Sequence, residues 1–286
     1  MLTMDGMDYR FGSKLPARAE RSAQYLLVRL LVGGGVVKRK GGRGKYTQSN
    51  DLSCWPSVRQ VESSAVATAD FIRVQLGSAV SEFIAETIVD NRRLFSDILS
   101  ELSNYYCASA AGSHAAAFVY LYRTLERISF SVPLLYCATS SDFYGTFEDL
   151  KKLFDEGAKG DLSLLRKLIS QGRFIDRTVV DTTVTLDLST SPYGEKFYHA
   201  IVSRFDDTDS SDSVLRQISM KFGSVQGFTE TVRNRFFHFR TGDGRNNMST
   251  RDLVDVDQFF QYVNPVVENF IGKLVVQTIV TKYGRL

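Results

Sequence analysis

The chain has 286 residues, of which 43% are hydrophobic, 12% aromatic and 23% charged, so its composition is that of a globular protein and excludes a disordered chain. Its three cysteines are odd in number and lack paired spacing, which argues against a disulfide framework or a zinc site. The apolar segment 24–37 contains Arg29 and three consecutive glycines and precedes a basic run. We therefore predict neither a membrane span nor a signal peptide, and we expect a cytoplasmic protein.

Residues 1–56 are interpreted as a basic, glycine-containing N-terminal arm. The net charge of the chain is only +3, but residues 1–60 carry 11 Lys and Arg against 4 Asp and Glu. The glycine-rich run 41–45 predicts a loop, and 26–32 forms either a short strand or a helical turn. The arm suits a polyanion such as RNA, and the alternative is a solvated flexible tail. The candidate RNA-binding residues are Lys38, Arg39, Lys40, Arg43 and Lys45.

A helical pattern begins near residue 57 and defines a predicted domain over 57–286. Apolar residues recur at steps of three and four between Phe71 and Leu102, which predicts one extended helix or two in series. We predict a break at 110–112 and a new helix capped by Ser113, with a kink near Pro133. Shorter helices are predicted over 147–155 and over 161–170, the second capped by Asp161.

One segment, 180–188, alternates with a period of two and is rich in β-branched residues, so we predict a strand. A lone strand needs a partner, which lies nearby in the chain, in the arm or on another subunit. Further helices are predicted over 193–205, 213–222, 225–239 and 253–283. The expected fold class is therefore mainly α: a helical bundle with one short β element and a basic N-terminal arm.

The helix predicted over 225–239 carries the most informative residues. Its apolar residues are spaced three or four apart and form one stripe: Val225, Phe228, Val232, Phe236 and Phe239. On a regular helix Asn234 lies roughly 160° and His238 roughly 120° from this stripe. We therefore expect His238 to lie off the buried face.

Arg233, Asn234 and His238 suit the chemistry of RNA cleavage. Histidine transfers protons near neutral pH, and arginine presents a planar fork that matches a phosphate. RNA supplies its own nucleophile, the 2′-hydroxyl. Asn234 and His238 are helix neighbours, but Arg233 and His238 point about 140° apart and are roughly 7.5 Å apart along the axis. They converge only through a long arginine side chain, a distorted turn or a second subunit.

The sequence from Arg233 to His238, RNRFFH, resembles the Arg-polar-x-x-x-His motif of the HEPN superfamily of helical ribonucleases. The resemblance implies Arg233, Asn234 and His238 as catalytic residues and a homodimer that joins two motifs in one cleft. It also implies RNA cleavage without a metal or cofactor, leaving a 2′,3′-cyclic phosphate and a 5′-hydroxyl. The implied setting is antiphage defence or a toxin, with an antitoxin or defence complex as a further partner. Family members silenced by a nucleotidyltransferase often have Tyr where this chain has Arg240, which argues against such modification.

Other candidates are supporting residues: Arg123, Glu126, Arg235 and Arg240. Glu126 is proposed to orient Arg233 or His238, and the alternative is a set of ion pairs within one helix. The apolar residues of the last helix form either the core of the monomer or part of a subunit contact. Two other functions stay open: a non-catalytic module that binds RNA or nucleotide or serves as a scaffold, and a helical DNA-associated protein.

Overall fold

The computed structural model describes residues 2–4, 22–31, 36–39, 45–47, 79–155, 160–175, 177–238 and 247–283. The helices are α1 (Ala23–Leu31), α2 (Ala79–Thr87), α3 (Arg92–Ala110), α4 (His114–Ser129), α5 (Ser131–Thr139), α6 (Phe143–Asp155), α7 (Asp161–Ser170), α8 (Arg177–Val180), α9 (Gly194–Val202), α10 (Val225–Phe236), α11 (Thr250–Leu253) and α12 (Val256–Tyr283). The strands are β1 (Leu2–Met4), β2 (Val36–Arg39), β3 (Lys45–Thr47), β4 (Thr183–Asp187), β5 (Ser210–Asp212) and β6 (Gln217–Lys221). The predicted mainly α fold with a short β element is confirmed.

Helices α3, α4 and α12 form the centre of the bundle. The predicted break between α3 and α4 is confirmed, and Gly112 there has a φ of +75°, a left-handed conformation that favours glycine. Helix α12 packs along α4, where the rings of Phe118 and Phe260 lie 4.8 Å apart. The apolar residues of α12 are buried within the chain itself: Phe259, Phe260, Val263, Val266, Val267, Phe270, Leu274 and Val275. This supports the monomer core, not a subunit contact, as their role.

Helix α1 lies within the segment interpreted as an arm, yet it belongs to the core. Leu27, Leu30 and Leu31 are fully buried, and α1 packs against α2 and α3. The buried side chain of Gln24 donates from Nε2 to the carbonyl oxygen of Thr87 at 2.5 Å. Of the two alternatives for this segment, the helix is therefore correct. The division at residues 56 and 57 lies outside the described residues.

Two small antiparallel sheets accompany the helices. In the first, β2 pairs with β1 and β3, so that Lys38 and Lys45 are register partners. In the second, β6 lies between β4 and β5, which shows that the partner of the predicted strand comes from nearby in the chain. The strand β4 is shorter than the prediction because 177–180 is helical.

The helix predicted over 213–222 is wrong, because most of this range is strand β6 and the turn before it. Ile218 and Met220 are buried, while Gln217, Ser219 and Lys221 are more exposed. This alternation has the period of a strand that covers one apolar face. The segment thus completes the sheet that β4 requires.

The ends of several helices also differ from the predictions. Near the predicted kink, α4 ends at Ser129 and α5 begins at Ser131. Pro133 therefore lies in the first turn of a new helix, where its missing N–H is tolerated. Asp161 lies in the first turn of α7 and does not cap it. None of the helices within the described ranges is long and apolar enough to cross a membrane.

Candidate functional site

Helix α10 presents the motif, and its apolar stripe fixes its orientation. Val225, Phe228 and Val232 are buried as predicted, and Phe236 packs against the Phe260 ring at 5.3 Å. Phe239 lies outside the described residues. The helix ends at Phe236, three residues earlier than predicted.

His238 lies two residues beyond the end of α10 and is exposed. This confirms that it lies off the buried face. Because the chain has left the regular helix there, the angle of 140° between Arg233 and His238 does not describe their arrangement. In the part of the chain that the structure describes, no hydrogen bond joins His238 to Arg233 or Asn234.

The end of α10 and the residue that follows it contact α4. Arg233 contacts Tyr122, and one turn further on the Phe237 ring stacks on Phe118 at 5.9 Å with an interplanar angle of 3°. Phe118 is fully buried and Tyr122 is 7% exposed. The end of the motif helix is therefore anchored on two aromatic rings of a central helix.

The guanidinium of Arg233 is held by neutral groups. Its Cζ atom lies 4.9 Å from the centroid of the Tyr122 ring, and its Nη1 donates to Oδ1 of Asn234 at 2.9 Å. Among the described residues, no carboxylate forms an ion pair with it. Other arginines do pair with carboxylates: Arg123 with Glu101, Arg127 with Asp97, Arg173 with Asp149 and Arg204 with Asp252. The charge of half-buried Arg233 is thus not neutralised by an ion pair within the described chain.

The surroundings of Tyr122 combine one cation with two carboxylates. Burial raises the pKa of the Tyr122 phenol; the charge of Arg233 lowers it, and those of Glu126 and Glu230 raise it. The net pKa lies above the ordinary value, so Tyr122 is a neutral phenol at neutral pH. Glu126 and Glu230 are therefore the acidic neighbours of this aromatic–arginine pair.

Glu230, which lies one turn before Arg233 and Asn234 on α10, is a further residue of the site that was not predicted. Gln226 donates from Nε2 to Oε1 of Glu230 at 2.8 Å and to the carbonyl oxygen of Leu162 at 2.6 Å. Arg166 lies 4.0 Å from Oε2 of Glu230. The signal that could have identified Glu230 is its spacing of three and four residues from Arg233 and Asn234, which places all three on one side of the helix.

The predicted supporting residues have different surroundings. Arg123 forms a 2.8 Å ion pair with Glu101 of α3, so it connects two helices and does not pair within its own. Glu126 is exposed, and its charge raises the pKa of Tyr122. Its role in orienting Arg233 or His238 stays a prediction. The carbonyl oxygen of Arg235 accepts from the Met248 amide at 2.7 Å. Arg240 lies outside the described residues.

The chain returns beside the end of the motif helix at Asn247 and Met248. Besides the Met248–Arg235 hydrogen bond, Arg204 donates to the Asn247 carbonyl at 3.2 Å and lies 3.3 Å from Asp252. Burial alone would raise the pKa of Asp252, but hydrogen bonds from Ser249 and the charge of Arg204 lower it below its ordinary value. The last turn of α10 is therefore joined by a backbone hydrogen bond to the segment that precedes α11.

The structure brings Arg233 and Asn234 together and leaves His238 exposed beyond them. Lys38 and Arg39 lie on β2 and Lys45 on β3, whereas Lys40 and Arg43 lie outside the described residues. Within the described ranges, no group of three or more His, Cys, Asp or Glu residues is arranged to hold a metal ion.

Comparison with known proteins adds no relative: no protein-family model, curated protein or solved structure matches this chain.

Proposed function

We propose that the protein is a metal-independent endoribonuclease of HEPN type whose catalytic residues are Arg233, Asn234 and His238. One observation carries the proposal: the half-buried guanidinium of Arg233 is fixed by a ring and an amide, without a carboxylate partner in the described chain, and an exposed histidine follows five residues later. A cation held in this way stabilises a phosphate better than one already neutralised by an acid. The resemblance of the RNRFFH motif to the family supports the same reaction.

In the proposed reaction the 2′-hydroxyl of RNA loses its proton to a base and its oxygen attacks the adjacent phosphorus. The bond from phosphorus to O2′ forms and the bond to O5′ breaks, which leaves a 2′,3′-cyclic phosphate. The departing O5′ takes up a proton and becomes a 5′-hydroxyl. His238 exchanges these protons, and Arg233 stabilises the negative charge on the non-bridging oxygens. The Asn234 amide accepts from Arg233 through its oxygen and keeps its N–H groups for the phosphate.

The basic test is incubation of the purified protein with total RNA beside the His238→Ala protein. Cleavage that depends on His238 and yields cyclic phosphate ends supports the proposal. Unchanged cleavage by the His238→Ala protein would contradict it.

Cleavage is expected to continue in excess chelator, because RNA supplies the nucleophile and the motif supplies proton transfer and phosphate binding. The measurement is the cleavage rate with and without EDTA, followed by addition of magnesium or manganese. Loss of activity in EDTA and recovery with either metal would show that the mechanism is wrong.

The basic residues of β2 and β3 are expected to contact the phosphates of RNA. Removal of residues 1–50 is unsuitable as a test, because it would also remove the buried helix α1. Replacement of Lys38, Arg39 and Lys45 by Gln should instead reduce the slope of log affinity against log salt concentration by up to about 2 for single-stranded RNA. Binding is measured with the His238→Ala background to prevent cleavage.

The matched control for this experiment removes the same charge from exposed lysines on helices, Lys151, Lys152 and Lys196. This control should change the salt slope less than the strand variant does. Equal slopes for the two variants would favour a solvated segment without a role in RNA binding.

The proposed active unit is a homodimer, because one motif offers a single histidine and the reaction needs both a proton acceptor and a proton donor. Two motifs around a two-fold axis would supply two histidines and two arginines to one cleft. Sedimentation should show a dimer at micromolar concentration. When wild-type and His238→Ala chains are mixed in equal amounts and exchanged, the rate should fall to about a quarter. A fall to one half, or an active monomer, would contradict the shared cleft.

The proposed biological setting is antiphage defence or a toxin-like role, with an antitoxin or defence complex as a further partner. A second candidate function is a non-catalytic module that binds RNA, which is favoured by one observation: His238 makes no hydrogen bond to Arg233 or Asn234 within the described chain. In that case the purified protein would bind RNA tightly and leave it intact.

A further inference from the structure

We infer that Tyr122 is a positioning residue for the proposed reaction and that its ring face sets the orientation of the Arg233 guanidinium. The inference rests on the proposed function, since it assigns how the arginine of that site is kept in place. Tyr122 lies on a different helix from the motif, 111 residues earlier in the chain. Its ring contacts Arg233 and so connects the end of α10 to α4 at the centre of the bundle.

The Tyr122 ring is held rigidly by its surroundings. Tyr122 is 7% exposed and lies on α4, which packs against both α3 and α12. Its neighbour one turn before, Phe118, is fully buried and contacts both Phe237 and Phe260. A ring in such surroundings has one orientation and offers a fixed face to the cation.

The contact between Arg233 and Tyr122 leaves the charge of the arginine in place. The Cζ atom of Arg233 lies 4.9 Å from the ring centroid, within the range of a cation–π interaction. Such a contact restricts the position of the guanidinium without neutralising it. A carboxylate in the same place would form an ion pair and compete with the phosphate of RNA. The aromatic ring therefore provides support that is compatible with phosphate binding.

A hydrogen bond to Asn234 is the second restraint on the Arg233 guanidinium. Nη1 of Arg233 donates to Asn234, so one edge of the guanidinium is fixed while its face is against the ring. Glu126 and Glu230 lie near enough to raise the pKa of Tyr122, yet neither forms an ion pair with Arg233 in the described structure. The remaining N–H groups of the guanidinium are thereby held in a defined plane.

The test uses the electronic character of the ring and not its size. Tyr122→Phe should retain the cleavage rate within about threefold, because the ring face is kept. Replacement of Tyr122 by trifluorinated phenylalanine should lower kcat about tenfold relative to Tyr122→Phe, because fluorine withdraws the negative charge from the ring face. KM should change little, since the arginine acts on the transition state.

Two controls make the result decisive. The same fluorinated residue at Phe228, which is buried on α10 and contacts the Phe205 ring, should leave kcat unchanged. In the Arg233→Ala background, fluorination at Tyr122 should have no further effect, because the two residues act as one unit. Thermal unfolding of each variant shows whether the fold is intact.

The outcomes also separate this inference from the proposed function. If His238→Ala abolishes cleavage but fluorination at Tyr122 leaves kcat at the level of Tyr122→Phe, the positioning role is wrong and the ribonuclease proposal stands. If His238→Ala cleaves RNA like the wild type, the ribonuclease proposal is itself wrong. A fall in kcat with fluorination that persists in the Arg233→Ala background would assign Tyr122 a purely structural role.

Discussion

Replacement of His238 by alanine is expected to lower the rate of RNA cleavage by about 10²- to 10⁴-fold, the usual contribution of a group that transfers protons in the transition state. The fold should be unaffected, because His238 is exposed and lies beyond the last residue of α10. The measurement is the single-turnover cleavage rate together with thermal unfolding of both proteins.

The matched control is His199→Ala, which removes another exposed histidine, one that lies on α9. This variant should cleave RNA at the wild-type rate. If both histidine variants kept full activity, the site would not be the catalytic one. If both lost activity together with the folded state, the comparison would be repeated with glutamine at each position, which preserves a polar side chain.

Arg233→Ala is expected to reduce kcat by about 10²- to 10³-fold, as is typical when a fixed donor to a transition-state anion is removed. Arg233→Lys should recover little of this loss. Lysine keeps the charge but lacks the planar fork that matches a phosphate, and it cannot present the same edge to Asn234.

The matched control for the arginine is Arg177→Ala, because Arg177 is exposed and forms an ion pair with Asp181, which lies one residue beyond the end of its helix. Exposed ion pairs of this kind contribute little to the stability of a protein, so the variant should fold and cleave RNA normally. Full recovery of activity by Arg233→Lys would show that only the charge matters, and the proposed fixed geometry would then be unnecessary.

The helical part of the fold was predictable because its signal is local. The apolar stripe of α10 placed Val225, Phe228 and Val232 in the core, and the same stripe placed His238 on the exposed side. The break at Gly112 also follows from local composition. Strand β6 was not recognised because its alternation is short and lies between two helical patterns, so its assignment depends on pairing with β4.

The partners of the candidate site were less accessible from the sequence. Tyr122 and Arg233 are far apart in the chain, and their contact depends on how α4 and α10 pack. Tyr122 directly precedes Arg123 in the sequence, and the partner of Arg123 is Glu101 on another helix. Periodicity indicates which face of a helix is buried, but it does not indicate which helix covers that face.

Because α1 is buried, the protein should stay assembled after a protease cuts its backbone beyond α1. A protease cut between Leu31 and Ala79 would break the covalent link between α1 and the bundle. Helix α1 should stay bound, because Leu27, Leu30 and Leu31 are buried against other residues. The two pieces should therefore migrate together in a native gel and separate only in denaturant. By the same reasoning, a fragment that starts after the cut would have to fold with the surface that α1 covers exposed to water, and it should aggregate unless the missing helix is supplied as a peptide.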